Sequence, residues 1–241
     1  MAIGSDRRYM TRSQAEAAQI DVGLRNYMLG IYNYMALGVA FTGAISLLVA
    51  MNPAIMQAVA LGPFKWVLFI GILGMGFVAP RIMTSGSVMA AQACFWLYAG
   101  LWGALLSPIF YVYAQGDIVR ALFITAGAFA GMSLLGYTTK KDLSAIGRFL
   151  AMATIGILIA LLVNIFLLQS TGFHLVLSIV VVLVFAGLTA YETQMIKNMY
   201  HEGDGHEIAK RKSIFGAFML YGSFVTMFIW ILSLIGIMRG E

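Results

Sequence analysis

Charged side chains are scarce in this chain of 241 residues. Only 10% of the residues are charged, 15 basic and 10 acidic, whereas 61% are hydrophobic. A soluble globular domain has about 25% charged and about 45–50% apolar residues. So few charges cannot cover a soluble surface of this size, which excludes an ordinary soluble enzyme, a disordered chain and a nucleic-acid-binding protein. The composition predicts an integral membrane protein whose principal partner is the lipid bilayer.

Cysteine is almost absent as well. Cys94 is the single cysteine, so no intrachain disulfide can form. Residues 1–27 contain four arginines but no apolar run of about 7–15 residues, and they therefore predict no cleavable signal peptide. We expect 1–27 to be a polar N-terminal tail. Within it, residues 11–25 are equally consistent with a short helix on the membrane surface and with an irregular segment.

Long hydrophobic runs dominate the rest of the chain. A membrane-crossing helix needs about 20 mainly apolar residues, and seven runs approach or reach that length. They are Met28–Met51, Phe64–Ala79, Val88–Ala114, Ile118–Tyr137, Leu143–Leu168, Phe173–Met195 and Ile214–Met238. None alternates apolar with polar residues as a membrane β-barrel requires. The sequence predicts an all-α bundle of seven transmembrane helices in one membrane domain, residues 28–238, with a kink at Pro108.

The basic residues predict the orientation of the bundle. If the N-terminus is cytoplasmic, 12 of the 15 lysines and arginines fall on the cytoplasmic side. The remaining three are Lys65, Arg120 and Arg239. This bias follows the positive-inside rule and places the C-terminus outside. A six-span alternative with a re-entrant last helix would return the C-terminus to the cytoplasm.

Glycines are concentrated within the spans, where small residues allow close helix packing. The positions concerned are Gly71, Gly74, Gly76, Gly100, Gly103 and the Gly127-x-x-x-Gly131 pair. We expect them to lie at helix–helix contacts; an action as hinges is the weaker alternative.

One acidic residue stands out near the end of the sixth run, Glu192. A charge inside the bilayer is costly, so an intramembrane carboxylate is a functional candidate. Residues 173–191 are already long enough to span, so a position among the lipid headgroups is equally consistent with the sequence. Arg81 ends the second run on the same side, either opposite Glu192 or simply as an interfacial arginine.

Residue patterns for catalysis or metal binding are missing. His174 lies at one end of the sixth run and His201 and His206 lie beyond its other end, so the three cannot surround one ion. The zinc-helix and phosphate-loop motifs do not occur. We also expect no histidine beside a serine at membrane depth. The sequence therefore predicts that the protein is not an enzyme and holds no cofactor or metal.

Several motifs resemble those of the bacterial Bax inhibitor-1 family. They are Gly136-Tyr137-Thr138-Thr139-Lys140-Lys141-Asp142-Leu143, Gly147-Arg148-Phe149-Leu150, Leu162-Val163-Asn164, Gly187–Lys197 and Leu220-Tyr221-x-x-Phe224. The resemblance runs from about Tyr27 to Gly236, with the motifs in the family's order. It implies a seven-helix fold in which six helices surround a hydrophobic last helix.

The resemblance also implies functional residues. In the family, an acid on span six and an acid on span seven form a pH-sensitive latch for a slow calcium leak, and an arginine near the end of span two interacts with them. Glu192 matches the first acidic position and Arg81 the arginine. Ser223 stands where the second acid is expected and cannot ionise. We therefore expect a lone Glu192, held ionised by Arg81, and altered or lost pH gating.

Two function classes follow. The first is a leak channel for calcium or another cation, or a regulator of ion homeostasis, in a bacterial inner membrane. The second is an interaction protein that binds a membrane complex such as a quality-control protease through residues 1–27 and 197–212. Deleting residues 1–24 should impair the second role and leave ion flux intact.

Overall fold

The computed structural model describes the backbone of residues 12–240 and all side chains in that range except those of 12–21, 60 and 61. Seven long helices form most of this part of the chain, which contains no strand. They are α1 (Arg12–Ala50), α2 (Phe64–Ser85), α3 (Val88–Leu106), α4 (Gln115–Thr138), α5 (Ser144–Val163), α6 (Thr171–Asn198) and α7 (His206–Arg239). Seven helical segments are long and apolar enough to cross a membrane, which confirms the predicted fold class.

Successive helices run in alternating directions. At one end, the ring of Tyr27 on α1 lies 5.4 Å from that of Tyr200, and Arg211 donates to the carbonyl of Gly86 at 2.8 Å. At the other end, Tyr111 donates to the carbonyl of Ala50 at 2.8 Å. We call the first end, with the links 86–87, 139–143 and 199–205, the basic end. The second end, with the links 51–63, 107–114 and 164–170, is the opposite end.

The last helix forms the centre of the bundle. It packs against α1, α2, α3, α4 and α6, and its side chains Leu220, Tyr221 and Met227 have no exposed surface. It is a continuous helix of 34 residues from the basic end to the opposite end, so it is not re-entrant. The expectation that six helices surround it is wrong in one respect. The fifth helix packs mainly on α6 and lies at the periphery.

A buried hydrogen-bond chain ties three helices together at the core. Thr42 on α1 donates to the carbonyl of Ala99 on α3 at 3.0 Å. Its single proton is thereby used, so the Tyr221 hydroxyl on α7 is the donor in the 2.6 Å bond to Thr42. This chain fixes the depth of α7 relative to α1 and α3.

Two helix boundaries differ from the predicted ones, and the third span is interrupted at Pro108. The second helix continues through Pro80 to Ser85 instead of ending at Ala79. At Pro108 the third span is interrupted, as predicted, and a short turn (Ile109–Val112) follows. Residues 12–27, expected in a tail, continue α1 without a break, and residues 1–11 lie outside the described part.

Only some of the predicted glycines lie at helix contacts. A Cβ atom at Gly103 would lie 2.8 Å from Cβ of Ile45, a close approach of α3 to α1. In contrast, Gly127 and Gly131 have nothing within 4 Å, so the expectation for this pair is wrong. The buried positions of α4 are Asp117, Ala121, Thr125, Phe129, Ser133 and Gly136. The glycines lie two residues from this series, about 200° around a helix of 3.6 residues per turn, and therefore face outward.

Candidate functional site around Glu192

The functional candidate Glu192 lies on the inner side of α6, six residues before its end. Oε2 of Glu192 accepts a hydrogen bond from the Ser223 hydroxyl on α7 at 2.7 Å. Ser223 is buried, and Glu192 is partly buried. The two positions that the sequence singled out on spans six and seven are therefore in direct contact, inside the bundle.

Arg81 does not join this pair, so the expectation that its guanidinium lies beside Glu192 is wrong. Its side chain is exposed, and within the described residues no ion pair of 4.0 Å or less involves Glu192. The reason is the packing of α2, which contacts α3 and α7, whereas α6 contacts α4, α5 and α7. The end of α2 is instead bound by Arg211, which donates to the carbonyls of Thr84 and Gly86 at 3.1 and 2.8 Å.

A second polar chain begins at the next residue of α6. Thr193 is hydrogen bonded to Ser133 on α4 at 3.0 Å, and Ser133 is hydrogen bonded to the Tyr32 hydroxyl on α1 at 2.5 Å. Thr193 and Ser133 are both buried. Polar groups therefore extend from the centre of the bundle, next to Glu192, to the space between α1 and α4.

The rest of the segment around Glu192 holds α6 to its neighbours. Gln194 donates to the carbonyl of Lys141 and accepts from the backbone N–H of Leu143, both at 2.8 Å. Lys197 donates to the carbonyl of Tyr137 at 2.8 Å. These bonds explain why the chain combines Thr-Gln-x-x-Lys on span six with Tyr-x-x-Lys-Lys-Asp-Leu after span four: the two motifs bind each other.

Two glycines allow α4 and α5 to approach the segment of α6 that carries Glu192 closely. A Cβ atom at Gly136 on α4 would collide with the carbonyl of Ala190, and one at Gly147 on α5 would collide with the ring of Tyr191. Both glycines belong to motifs that the sequence analysis identified only by resemblance. Their role is to let α4 and α5 seat the segment that carries Glu192.

At the opposite end, the structure reveals an ion pair that the sequence analysis missed. Asp117, in the first turn of α4, is fully buried, and Nη1 of Arg239 on α7 lies 2.5 Å from its Oδ2. Arg120 lies 3.7 Å from Oδ1. The predicted spans Val88–Ala114 and Ile118–Tyr137 place Asp117 in the link between them. The acidic residue in the first turn of α4 and the basic residue in the last turn of α7 were the available signal, since each suits the dipole of its own helix end.

The structure also places a histidine beside a serine, on α6 and α7 at the opposite end of the bundle. Nε2 of His174 on α6 is 3.0 Å from the hydroxyl of Ser233 on α7, next to a polar cavity of about 300 Å³ at the opposite end. Within the described residues, no carboxylate lies within 4.0 Å of His174 to orient its ring. The pair lacks the third member that activates a serine nucleophile.

Comparison with known proteins agrees with this architecture. The family described as "Inhibitor of apoptosis-promoting Bax1" matches residues 24–240. The inner membrane protein YbhL of Escherichia coli K12 is 38% identical over 217 residues, which cover 89% of this chain and 92% of YbhL. An uncharacterized protein of Rickettsia prowazekii is 37% identical over 216 residues, covering 90% of this chain and 91% of the relative.

A third relative extends over more of the chain. An uncharacterized protein of Caulobacter vibrioides is 35% identical over 244 aligned positions, covering 96% of this chain and 97% of the relative. The inner-membrane relative and the seven membrane-length helices identify a multi-pass protein of the bacterial inner membrane. The chain belongs to the Bax inhibitor-1 family.

Proposed function

We propose that this protein provides a slow leak for calcium or a similar cation across the membrane, with Glu192 as the group that attracts the ion. The observation that carries this proposal is the contact of the Glu192 carboxylate with Ser223 between α6 and the central α7. A carboxylate is retained inside a membrane bundle at considerable cost, and such residues commonly mark ion pathways.

The composition of the site favours passage over tight binding. Calcium bound stably by a protein has six to eight oxygen ligands, several of them carboxylates. Within the described residues, no group of three or more His, Cys, Asp or Glu side chains is placed to hold a metal ion. One carboxylate and one hydroxyl would attract a partly hydrated cation and then release it. Conduction requires this balance, since an ion that is bound too tightly cannot leave.

The single carboxylate also bears on pH gating. Two carboxylates in contact share a proton and titrate as a coupled pair. Here the second position is Ser223, which cannot ionise, and Arg81 is too distant to pair with Glu192. We propose that this member has lost the coupled, pH-sensitive latch and that its flux lacks a steep dependence on pH between 6 and 8.

The proposed orientation has the basic end in the cytoplasm. The distribution of 12 basic residues against three supports it. Glu192 is six residues from the end of α6, so it would lie about 9 Å along the helix axis from that boundary. The ion would therefore meet the carboxylate close to the cytoplasmic side, and the N-terminus would be cytoplasmic.

We propose no catalytic activity, because the His174–Ser233 pair lacks an acidic partner among the described residues. The interaction role receives less support than the leak. Three basic side chains of the segment 197–212 are engaged within the bundle: Lys197 with Tyr137, Arg211 with Gly86, and Lys212 with Asp204 at 2.5 Å. They are therefore less available to a protein partner.

The leak is tested with purified protein in liposomes that contain a calcium-sensitive dye. We expect Glu192→Gln to reduce calcium entry at least several-fold at pH 7. Glu207→Gln is the matched control, since Glu207 is exposed in the first turn of α7 and lies outside the site. Flux in Glu192→Gln equal to the native flux would refute the role of Glu192. If the native flux depends steeply on pH and Glu192→Gln abolishes that dependence, the proposed loss of pH gating is wrong.

A further inference from the structure

A lateral groove of about 650 Å³ lies between α1 and α4. The first helix packs on α3 and α7, and the fourth packs on α6 and α7, so α1 and α4 face each other across this space. Both are membrane-spanning segments. The groove therefore opens at the depth of the lipid, and its occupant must come from the bilayer.

The surface of the groove suits a hydrocarbon chain. Its floor is formed by the buried side chains Met28, Met35 and Phe129. Its rims are formed by Leu29 and Leu134, which are 48% and 63% exposed. Methionine adapts its shape to flexible apolar partners. An acyl chain in the groove would cover apolar surface that the helices leave uncovered.

The basic end of the groove carries positive charge. Arg25 lines it there and is exposed, and none of the carboxylates whose side chains the structure describes (residues 22–240) lies within 4.0 Å of it. Tyr137 also lines this end, and Nζ of Lys197 lies 5.0 Å from its ring centroid. A cation at the mouth of an apolar groove matches an anionic headgroup attached to an acyl chain.

The length of the groove matches one leaflet. From Arg25 to Ala36, α1 contributes twelve residues, whose eleven steps rise about 16 Å along the helix axis. The hydrocarbon core of a bilayer is about 30 Å thick, so one leaflet is about 15 Å. A phospholipid with its headgroup at Arg25 would therefore fill the groove with one chain and end near the middle of the membrane.

We infer that the groove between α1 and α4 is a binding site for one anionic phospholipid, with the phosphate at Arg25 and an acyl chain along Met28, Met35 and Phe129. This site is separate from the proposed leak and does not depend on it. The groove floor also contains Ser133, which bonds Thr193 beside Glu192. The bound lipid would thus lie next to the polar chain that leads to the carboxylate.

The test is native mass spectrometry of the full-length protein with phosphatidylglycerol or phosphatidylcholine of identical acyl chains. We expect the native protein to retain one phosphatidylglycerol at least about fivefold better than phosphatidylcholine, the effect of one basic residue near an anionic group. Arg25→Gln should lose this preference. Arg148→Gln is the matched control, because it removes the same charge from an exposed position on α5 outside the groove. If both variants lose the preference for phosphatidylglycerol equally, the basic residues attract anionic lipid without a specific site, and the proposal is wrong.

A second pair of variants tests the acyl-chain part. Ala130→Phe fills the groove from an exposed position on α4, and Ala126→Phe adds the same ring one turn away, outside the lining. We expect Ala130→Phe to abolish retention of the lipid and Ala126→Phe to leave it unchanged. Ala36→Phe, from the wall formed by α1, should repeat this effect. Retention of one phosphatidylglycerol by the folded Ala130→Phe and Ala36→Phe variants would place the lipid elsewhere and overturn the proposal.

Discussion

Arg239 and Asp117 join the last turn of α7 to the first turn of α4 through a contact of 2.5 Å. The carboxylate of Asp117 has no exposed surface, whereas Arg239 is 42% exposed and Arg120 is 65% exposed. A buried carboxylate is stable only if its lost hydration is offset by charged or hydrogen-bonded partners. The pair therefore anchors the end of the central helix, and α4 cannot move away from α7 there without exposing or isolating the carboxylate.

Arg239→Gln should destabilise the protein because it leaves Asp117 buried with only the more distant Arg120. Breaking a fully buried ion pair costs about 3–5 kcal/mol. Arg239 is partly exposed, so we expect about 1–3 kcal/mol, measured by reversible unfolding of the detergent-solubilised protein. Arg120→Gln should cost less than about 1 kcal/mol, as an exposed pair does.

The double variant Asp117→Asn with Arg239→Gln tests whether the two residues are energetically coupled. We expect it to be more stable than Arg239→Gln alone, because no unpaired buried charge is left. Additive effects of the two substitutions would instead mean that the contact does not couple the residues.

Gly103 and Gly127 offer a matched test of helix packing. Alanine at Gly103 would bring Cβ to 2.8 Å from Ile45 Cβ and 2.9 Å from the carbonyl of Thr42. We expect a loss of about 1–3 kcal/mol, since overpacking forces α1 and α3 apart. Alanine at Gly127 meets nothing within 4 Å, so it should be neutral or stabilise the helix by up to about 1 kcal/mol. Equal effects in unfolding experiments would contradict the contact of α1 with α3.

Tyr221→Phe tests the buried bond between α7 and α1. It removes the donor to Thr42 and keeps the aromatic ring, which packs on Phe95 with centroids 5.8 Å apart. Hydrogen bonds between membrane helices contribute about 0.6 kcal/mol on average and up to about 1.7 kcal/mol. We expect a loss in this range by unfolding measurements. Tyr111→Phe, which removes the bond to the carbonyl of Ala50 at the end of the bundle, gives a comparison outside the core.

The seven spans could be predicted from the sequence because hydropathy is a local property of each segment. The direction in which a residue faces is not local in helices that are apolar on all sides. On α4, the Gly127-x-x-x-Gly131 pattern indicated a contact face, whereas Asp117 and Ser133 mark the buried face. Apolar periodicity does not distinguish these faces, because the outward face is also apolar, with Leu122, Phe123 and Ile124 exposed.

The candidate site likewise combines features that the sequence predicts with features that depend on helix packing. Glu192 was identified because a carboxylate in a hydrophobic run is rare, and the position of Ser223 was identified by resemblance; the structure brings them together. Arg81 was placed beside them because it lies at the matching depth. Depth along the membrane follows from the sequence, but the neighbours of a helix depend on how the whole bundle packs. The same limit applies to His174 and Ser233, which lie 59 positions apart.

Ser223→Asp tests the proposed loss of pH gating. The substituted carboxylate would lie within hydrogen-bond distance of Glu192, since the Ser223 hydroxyl is 2.7 Å from Oε2. Two carboxylates that close repel strongly when both are ionised, so they share a proton and titrate as a coupled pair. We expect calcium flux into liposomes to gain a pH-dependent step between pH 6 and 8 that the native protein lacks. Ser223→Asn, of similar size and uncharged, should not gain it, and adding Glu192→Gln to Ser223→Asp should remove it. If the pH profile of Ser223→Asp coincides with the native profile, protonation of this pair does not control the flux.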